Sequence, residues 1–365
     1  MKALVLFGTR PECIKLAPVV GALGGLSGCE VRVCFTGQHK EMARQVIDLF
    51  GLDVHWDLGL MTSNQSLAGL SSRCLDSVDR VLEEWRPDWV VVQGDTTTAM
   101  ISALAGFYRG VKVAHVEAGL RTRNMQHPWP EEFNRCAIDL FASAYFPPTE
   151  WAAQNLRREG VEQEKILVSG NTGIDALLQI AGKSYDWEHS PIKFLRDDRD
   201  IVLVTAHRRE SFGGPFEQLC QALKELALLY PATRFVYPVH LNPNVQAPVN
   251  STLGGLDNFH LLAPVDYFSL VQLLKKSRLV LTDSGGIQEE APTFGLPILV
   301  MRETTERPEA VDAGFAQLVG TDCSKIVSES CKRLNLPVEE TRITKPNPYG
   351  DGKASDRIAA FLARL

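Results

Sequence analysis

A chain of 365 residues is too long for one ordinary core and suits two domains. Hydrophobic residues make up 45% and charged residues 22%, the balance of a folded globular protein, and a net charge of −6 argues against a general nucleic-acid binder while leaving room for a local basic cleft that takes a small polyanion. The eight cysteines are scattered, with no CxxC pair and no Cys/His cluster at zinc spacing, as expected of reduced thiols in a cytoplasmic protein without a structural metal; the apolar run before Gly8 is too short for a signal peptide or a bilayer span.

Short apolar runs alternate with longer amphipathic segments. ALVLF (3–7) precedes a helical stretch from Pro11, VRVCF (31–35) precedes another from His39, WVVVQ (89–93) leads into TTTAMISALAGFY, and VKVAHV (111–116) follows. The second half repeats the habit. IVLVTAH (201–207) comes before a helix starting near Pro215, then come RFVYPV (234–239), RLVLTD (278–283) with GGIQEEAPTF behind it, and PILVM (297–301). Near-continuous Val/Ile/Leu runs separated by helices predict parallel strands buried on both faces. Two such series predict an α/β chain of two Rossmann-like, doubly wound domains. The break is expected between Gly170 and Ser190, giving an N-terminal domain over 1–170 and a second over 171–350. A final segment, 351–365, has helical spacing in KASDRIAAFLARL and is expected to cross back onto the first domain.

In open parallel sheets ligands bind outside the carboxyl ends of the strands, so the residues after each run matter most. GTRPE follows the first. Gly8 frees the turn, Thr9 can cap, Pro11 fits a first helical turn, and Arg10 and Lys15 lie near a helix N-terminus, where anions are favoured. Asp95 follows WVVVQ and Glu117 follows VKVAHV. His207, Arg208 and Arg209 follow IVLVTA, and Ser284, Gly285 and Gly286 open a helix after RLVLTD. The first half thus carries carboxylates at its strand ends. The second carries anion binders, including a glycine turn that lets backbone N–H groups approach phosphate oxygens, and Arg307 in TTERPE. Singly, each residue has a plainer reading. Asp95 before TTT can be a helix cap, His207 a structural histidine, and adjacent Glu131 and Glu132 in HPWPEEFNR acids at a helix start. Tyr267 and Phe268 read as core. The repeated placement at strand ends carries the inference toward a sugar nucleotide.

The motifs FGTRPE, QGDTTT, HVEAGLRT, PWPEEFNR, SGNTGIDAL, VTAHRRESFG, YPVHLNPNV, LTDSGGIQEEAP and MRETTERPEAV occur in this order from Lys2 to the NPYGDG loop. In this the chain resembles the bacterial non-hydrolysing UDP-N-acetylglucosamine 2-epimerases. The resemblance implies a glycosyltransferase-B-like fold with the active site in a cleft between the two domains, interconversion of UDP-GlcNAc and UDP-ManNAc for surface polysaccharide synthesis, a cytoplasmic homodimer, and no cofactor or metal. No GxGxxG follows a predicted strand, in keeping with the absence of a nicotinamide. It also implies Asp95, Glu117 and Glu131 as the catalytic carboxylates, with Glu132 structural, and His207 beside the diphosphate as an imidazolium. Arg10, Lys15, Arg307 and the Ser284–Gly285–Gly286 turn would bind phosphates, and Glu290 the ribose. Three acids near a polyanion should raise at least one pKa.

Some relatives bind UDP-GlcNAc as an allosteric activator, and Gln38, Arg208 and His240 match positions implicated there. Glu41 and Asn64 depart from that pattern, which weakens the expectation of strict dependence on an activator. Leu270 stands where an aromatic near uracil is expected. Rival readings are a hydrolysing epimerase, a glycosyltransferase on the same fold, and a sugar-nucleotide sensor without chemistry. The lack of a kinase segment argues against the first, the acid-rich EAGLR and PWPEE motifs against the second, and the presence of all three acids against the third.

Overall fold

The computed structural model describes residues 1–37, 40–62, 65–197 and 200–365; for 40–42 only the backbone is described. The chain divides into two compact units, Met1–Leu178 with Tyr349–Leu365, and Gln179–Pro348. The first contains β1 (Lys2–Phe7), α1 (Arg10–Gly24), β2 (Glu30–Phe35), α2 (Lys40–Phe50), β3 (Val54–Asp57), α3 (Leu67–Trp85), β4 (Trp89–Gln93), α4 (Thr97–Tyr108), β5 (Lys112–Val116), α5 (Glu131–Phe141), β6 (Ala144–Phe146) and α6 (Glu150–Arg158). Helix α7 (Thr172–Ala181) runs across the division. The second contains β7 (Ile201–Thr205), α8 (Gly214–Leu229), β8 (Arg234–Pro238), α9 (Pro243–Leu253), β9 (Phe259–Leu262), α10 (Tyr267–Lys276), β10 (Ser277–Thr282), α11 (Gly285–Glu290), β11 (Ile298–Val300), α12 (Pro308–Asp312), β12 (Ala316–Leu318) and α13 (Cys323–Leu334). The C-terminal α14 (Ala354–Leu362) packs against α1 in the first unit.

Each unit is built on one six-stranded sheet, and every strand pairing in it is parallel. The strand orders are β3-β2-β1-β4-β5-β6 and β12-β11-β10-β7-β8-β9. Counted from its own first strand, each is the 3-2-1-4-5-6 order of the Rossmann fold, which confirms the expected pair of doubly wound units. Burial explains the central strands. All five residues of β4 are buried, as are Ile201–Val204 of β7, because helices cover both faces. In the first unit, strand residues such as Leu4, Leu6, Val90 and Val92 pack with α3 and α4 side chains, among them Val78, Leu82 and Ala103. In the second, Val202, Val204, Leu279 and Leu281 pack with Phe216, Leu223 and Leu226 of α8 and Ile326 of α13. Among the described residues no helix is long and apolar enough to cross a membrane.

Chain order reverses direction between β1 and β4, and again between β7 and β10. The loops after these strands therefore diverge and leave a crevice at their carboxyl ends. That topology, more than any single residue, decides where chemistry can occur in each unit.

One long-range cap ties α14 down. Its own N-cap residue, Lys353, makes no side-chain cap. Instead Asp175 of α7 accepts the backbone N–H groups of Ala354 (3.2 Å) and Ser355 (2.7 Å), both buried. Asp175→Ala is expected to destabilise the first unit by about 1–2 kcal/mol, the usual loss on removing a helix cap. Urea unfolding checks this; an unchanged midpoint would mean that water replaces the cap.

Candidate active site

In the first unit the crevice is a pocket of about 440 Å³ lined by residues that include Thr9, Glu12, Lys15, Gln93, Asp95, Glu117, Glu131 and Asn134. The three carboxylates singled out in the sequence are thus brought together, each by a different loop. Asp95 follows β4, but it is not the cap of α4. Thr96 is, accepting the N–H of Ala99 at 3.0 Å, so the helix-cap reading of Asp95 fails. The Asp95 carboxylate instead meets the Arg135 guanidinium at 2.7 Å, and its backbone carbonyl accepts a bond from Asn134 Nδ2 at 2.8 Å. Burial pushes the Asp95 carboxyl above its ordinary value, opposed by Arg135 and reinforced by the negative charges of Glu117 and Glu131. This is the raised acid that the sequence leads one to expect.

Glu117, directly after β5, sits in the left-handed backbone region at φ 66°. A non-glycine residue there costs roughly 1–2 kcal/mol, and such strain collects where a side chain must be aimed. Its Oε2 accepts from Lys15 Nζ and, at 3.0 Å, from Gln93 Nε2. Lys15, expected at phosphate, here pairs with this carboxylate inside the pocket. Glu131 is the first residue of α5, so the helix-start and pocket readings of HPWPEEFNR are both met. Glu132 is fully buried and structural, accepting the N–H groups of Thr122 and Arg123 at 2.7 to 3.0 Å. Arg10 is the first residue of α1 and is not part of the pocket lining.

Glu12 escaped the sequence reading. It closes a capping box with Thr9, accepting the N–H groups of Gly8 (3.1 Å) and Thr9 (2.7 Å), while its Oε1 accepts from Thr96 Oγ1 at 2.7 Å. Burial raises its pKa against those hydrogen bonds. The signal was present as T-x-x-E, the capping-box spacing, but its reach to Thr96 is tertiary.

The second unit presents its polar groups at its own crevice, after β7 and β10. His207 and Arg208 both donate their backbone N–H to Oδ2 of buried Asp283, at 2.6 and 2.7 Å, and His207 Nδ1 stands 3.5 Å from Oδ1. The His207 ring stacks on His240, with centroids 5.3 Å apart and planes at 11°. Burial lowers the His207 pKa; Asp283 works against this, and His240 and Arg208 add to it. With these neighbours desolvation favours the neutral ring, and the imidazolium belongs to the expectation of a diphosphate beside it. Asp283 is the second residue missed, although it stands in the LTDSGG motif.

Ser284 caps α11 without a side-chain capping bond, and Gly285 and Gly286 begin the helix. A Cβ added to Gly285 would lie 3.9 Å from Arg307 Nη2 and 4.0 Å from Arg208 Nη2, so two guanidinium groups reach the start of this helix. Arg307 is paired through Nε with Glu289. Glu290 accepts a bond from the Tyr267 hydroxyl at 3.2 Å, and Tyr267 is buried as expected. Of the effector candidates, Arg208 and His240 stand beside Gly285 and His207. Gln38 lies outside the described residues, as do Asn64 and the side chain of Glu41. Among the described residues no group of three or more His, Cys, Asp or Glu could hold a metal ion.

The family profile described as UDP-N-acetylglucosamine 2-epimerase matches residues 22–363. A UDP-N-acetylglucosamine 2-epimerase of Yersinia pestis is 49% identical over 369 residues, covering 99% of this chain and 98% of its own. One of Campylobacter jejuni is 46% identical over 373 residues, covering 100% and 97%. The crystal structure of UDP-GlcNAc 2-epimerase from Neisseria meningitidis bound to UDP-GlcNAc matches 100% of both chains with a TM-score of 0.90 at 43% identity. Joined to two Rossmann-type sheets whose crevices hold acids in one unit and cationic groups in the other, this similarity along the whole length shows that the chain belongs to the UDP-N-acetylglucosamine 2-epimerase family.

Proposed function

We propose that the protein interconverts UDP-N-acetylglucosamine and UDP-N-acetylmannosamine without hydrolysis, by eliminating UDP and adding it back. The observation that carries this reading is the convergence of Asp95, Glu117 and Glu131 on one pocket. The C2 hydrogen of the hexose is not adjacent to a carbonyl, so simple deprotonation would leave an unstabilised carbanion. Removing it while the C1–O bond to UDP breaks avoids that state and yields a glucal-type sugar and UDP. Returning a proton to the opposite face of C2 as UDP re-adds to C1 completes the inversion.

Each step asks for groups that the chain has. Proton removal and return from two faces needs more than one carboxyl. Asp95, whose carboxyl burial and the neighbouring acids push above its ordinary value, suits the group that cycles between acid and base, and Glu117 the one across the ring. Lys15 and Gln93 both grip Oε2 of Glu117, and Oε1 is the oxygen this reading assigns to the sugar. Glu131 assists from the start of α5. UDP departure needs positive charge and N–H donors where negative charge develops. His207, Arg10, Arg307 and the Ser284–Gly286 turn fill that role, with Glu290 on the ribose. His207 gains its proton as the diphosphate arrives.

Incubation with UDP-GlcNAc in D₂O, with no acceptor, tests the reading. UDP-ManNAc carrying deuterium at C2 is expected, with deuterium also entering the UDP-GlcNAc pool. Free ManNAc plus UDP as the main product would move the chain to the hydrolysing reading. Binding without exchange at C2 would leave it a sensor.

A further inference from the structure

A buried histidine stands behind two of the pocket acids. His115 of β5 is fully buried. Its Nε2 donates to the carbonyl of Gly94 at 2.8 Å, the residue directly before Asp95. Its Nδ1 lies 2.6 Å from Asp139 Oδ1 on α5, the helix that Glu131 begins. The other oxygen of Asp139 accepts the N–H of Gly119 at 3.1 Å, two residues after Glu117, and the Arg121 guanidinium at 2.8 Å. One imidazole–carboxylate pair therefore reaches all three acid-bearing segments: the turn after β4, the turn after β5, and α5.

The surroundings leave this pair little freedom. Burial opposes ionisation of Asp139, yet the charges of His115 and Arg121 hold its carboxyl below the usual range. Arg121 also spans to Glu159, donating from Nε at 2.9 Å and Nη2 at 2.6 Å, and to the carbonyl of Leu120 at 2.8 Å. Gly119 tolerates no side chain: at φ 81°, a Cβ there would come within 2.3 Å of the Ala152 carbonyl oxygen, so the backbone packs closely against α6 here. The turn of Gly94, Asp95 and Thr96 is gripped from further sides by Asn134 on the Asp95 carbonyl and by Glu12 on Thr96. Of these, the bond from His115 is the one that joins the β4 turn to β5 and α5 together.

We infer that His115 is a positioning residue for the epimerisation, and that its Nε2–H bond to the Gly94 carbonyl sets where the Asp95 carboxylate stands relative to Glu117 and Glu131. This rests on the function proposed above. An ångström of misplacement of a reacting group commonly costs about 10²-fold in rate, so the bond acts on turnover and not on nucleotide affinity.

The two ring nitrogens can be separated by substitution. The amide nitrogen of His115→Gln falls near Nε2 and keeps a donor for Gly94. That of His115→Asn falls near Nδ1 and keeps only the bond to Asp139. Both variants and the wild type are compared for kcat and KM with UDP-GlcNAc, UDP affinity by calorimetry, and melting temperature. His115→Gln is expected to retain kcat within about 3-fold, and His115→Asn to lose about 10- to 100-fold in kcat with UDP affinity unchanged, at similar losses of stability. Equal kcat in the two variants, a loss in Gln with retention in Asn, or a loss expressed in UDP affinity would overturn the inference. If one variant fails to fold, the other still decides by its own kcat. Failure of both to fold would assign His115 to stability and end the positioning role. A wild type that does not epimerise UDP-GlcNAc would instead remove the functional reading itself.

Discussion

Asp95→Asn is expected to keep the fold and the affinity for UDP and to lose about 10²–10⁴-fold in turnover, the range for removing a positioned general acid or base. Asparagine has the shape of the aspartate and can still face Arg135, which retains Glu132 at 3.6 Å as a second partner. The loss should therefore appear in chemistry and not in assembly. Deuterium wash-in at C2 should fall with kcat, because both report movement of the same proton. A carboxylate that merely neutralised Arg135 would give a different result, with a lower melting temperature and ordinary wash-in. The raised pKa adds a second expectation. In the wild type the acid limb of the pH–rate profile should lie above the ordinary aspartate range, because Asp95 must be ionised to take the proton, and burial together with Glu117 and Glu131 delays that ionisation as pH rises. In Glu131→Gln one of those negative charges is gone, so the limb should move to lower pH even as turnover drops. Wild-type-like isomerisation by purified Asp95→Asn would remove Asp95 from the chemistry. Losses from Asp95→Asn and Glu117→Gln should not add in the double variant if the two act on one proton-transfer sequence.

The parts of this architecture that sequence discloses are those governed by local burial. The strands read from Val/Ile/Leu runs are the central ones, β1, β2, β4 and β5 in one sheet and β7, β8, β10 and β11 in the other. The strands that escape are β3, β6, β9 and β12, which are the four sheet edges. Each has only three or four residues, and β3 and β9 are half exposed along most of their length. An edge strand pairs on one side and is often covered less, so it needs no long apolar run, and VHWD or AQL looks like loop. The same division holds for the site. Asp95, Glu117, His207 and Ser284 are legible because each follows an apolar run and the fold class places ligands there. Asp283 follows one too, yet its role depends on two N–H groups more than seventy residues away, after β7. His115 and Asp139 are 24 residues apart and Arg121 and Glu159 are 38 apart, and no periodicity relates the members of either pair. Hydrogen-bond networks that aim catalytic groups are tertiary objects, and only the residues they aim leave a mark at strand ends.

The neutral ring of His207 leads to the other large effect. His207→Ala is expected to cost about 10²–10³-fold in turnover, the usual loss of one donor at a site of developing negative charge. The pH dependence of UDP binding to the wild type should show why. Burial, helped by His240 and Arg208 and opposed by Asp283, pushes the His207 pKa below its ordinary value and favours the neutral ring. On the proposed reading a bound diphosphate adds negative charge beside it and raises that pKa. The complex then binds more protons than the free protein, which means that affinity for UDP must increase as pH falls through the interval between the bound and free pKa values, and level off below the free one. Calorimetry in buffers of different ionisation enthalpy should register proton uptake on binding near pH 7, and His207→Ala should abolish it. Asp283→Asn sharpens the test. The amide oxygen can still accept from the His207 and Arg208 N–H groups, but the charge that favours a protonated ring is gone. Proton uptake should then shift to lower pH while the fold persists. Asp283→Ala removes the acceptor as well, leaving two backbone donors without their partner at about 1–3 kcal/mol each, and should unfold more readily than Asp283→Asn. UDP affinity independent of pH in the wild type would mean that His207 keeps one protonation state throughout, and the help it gives to the leaving group would have to come from its neutral N–H alone.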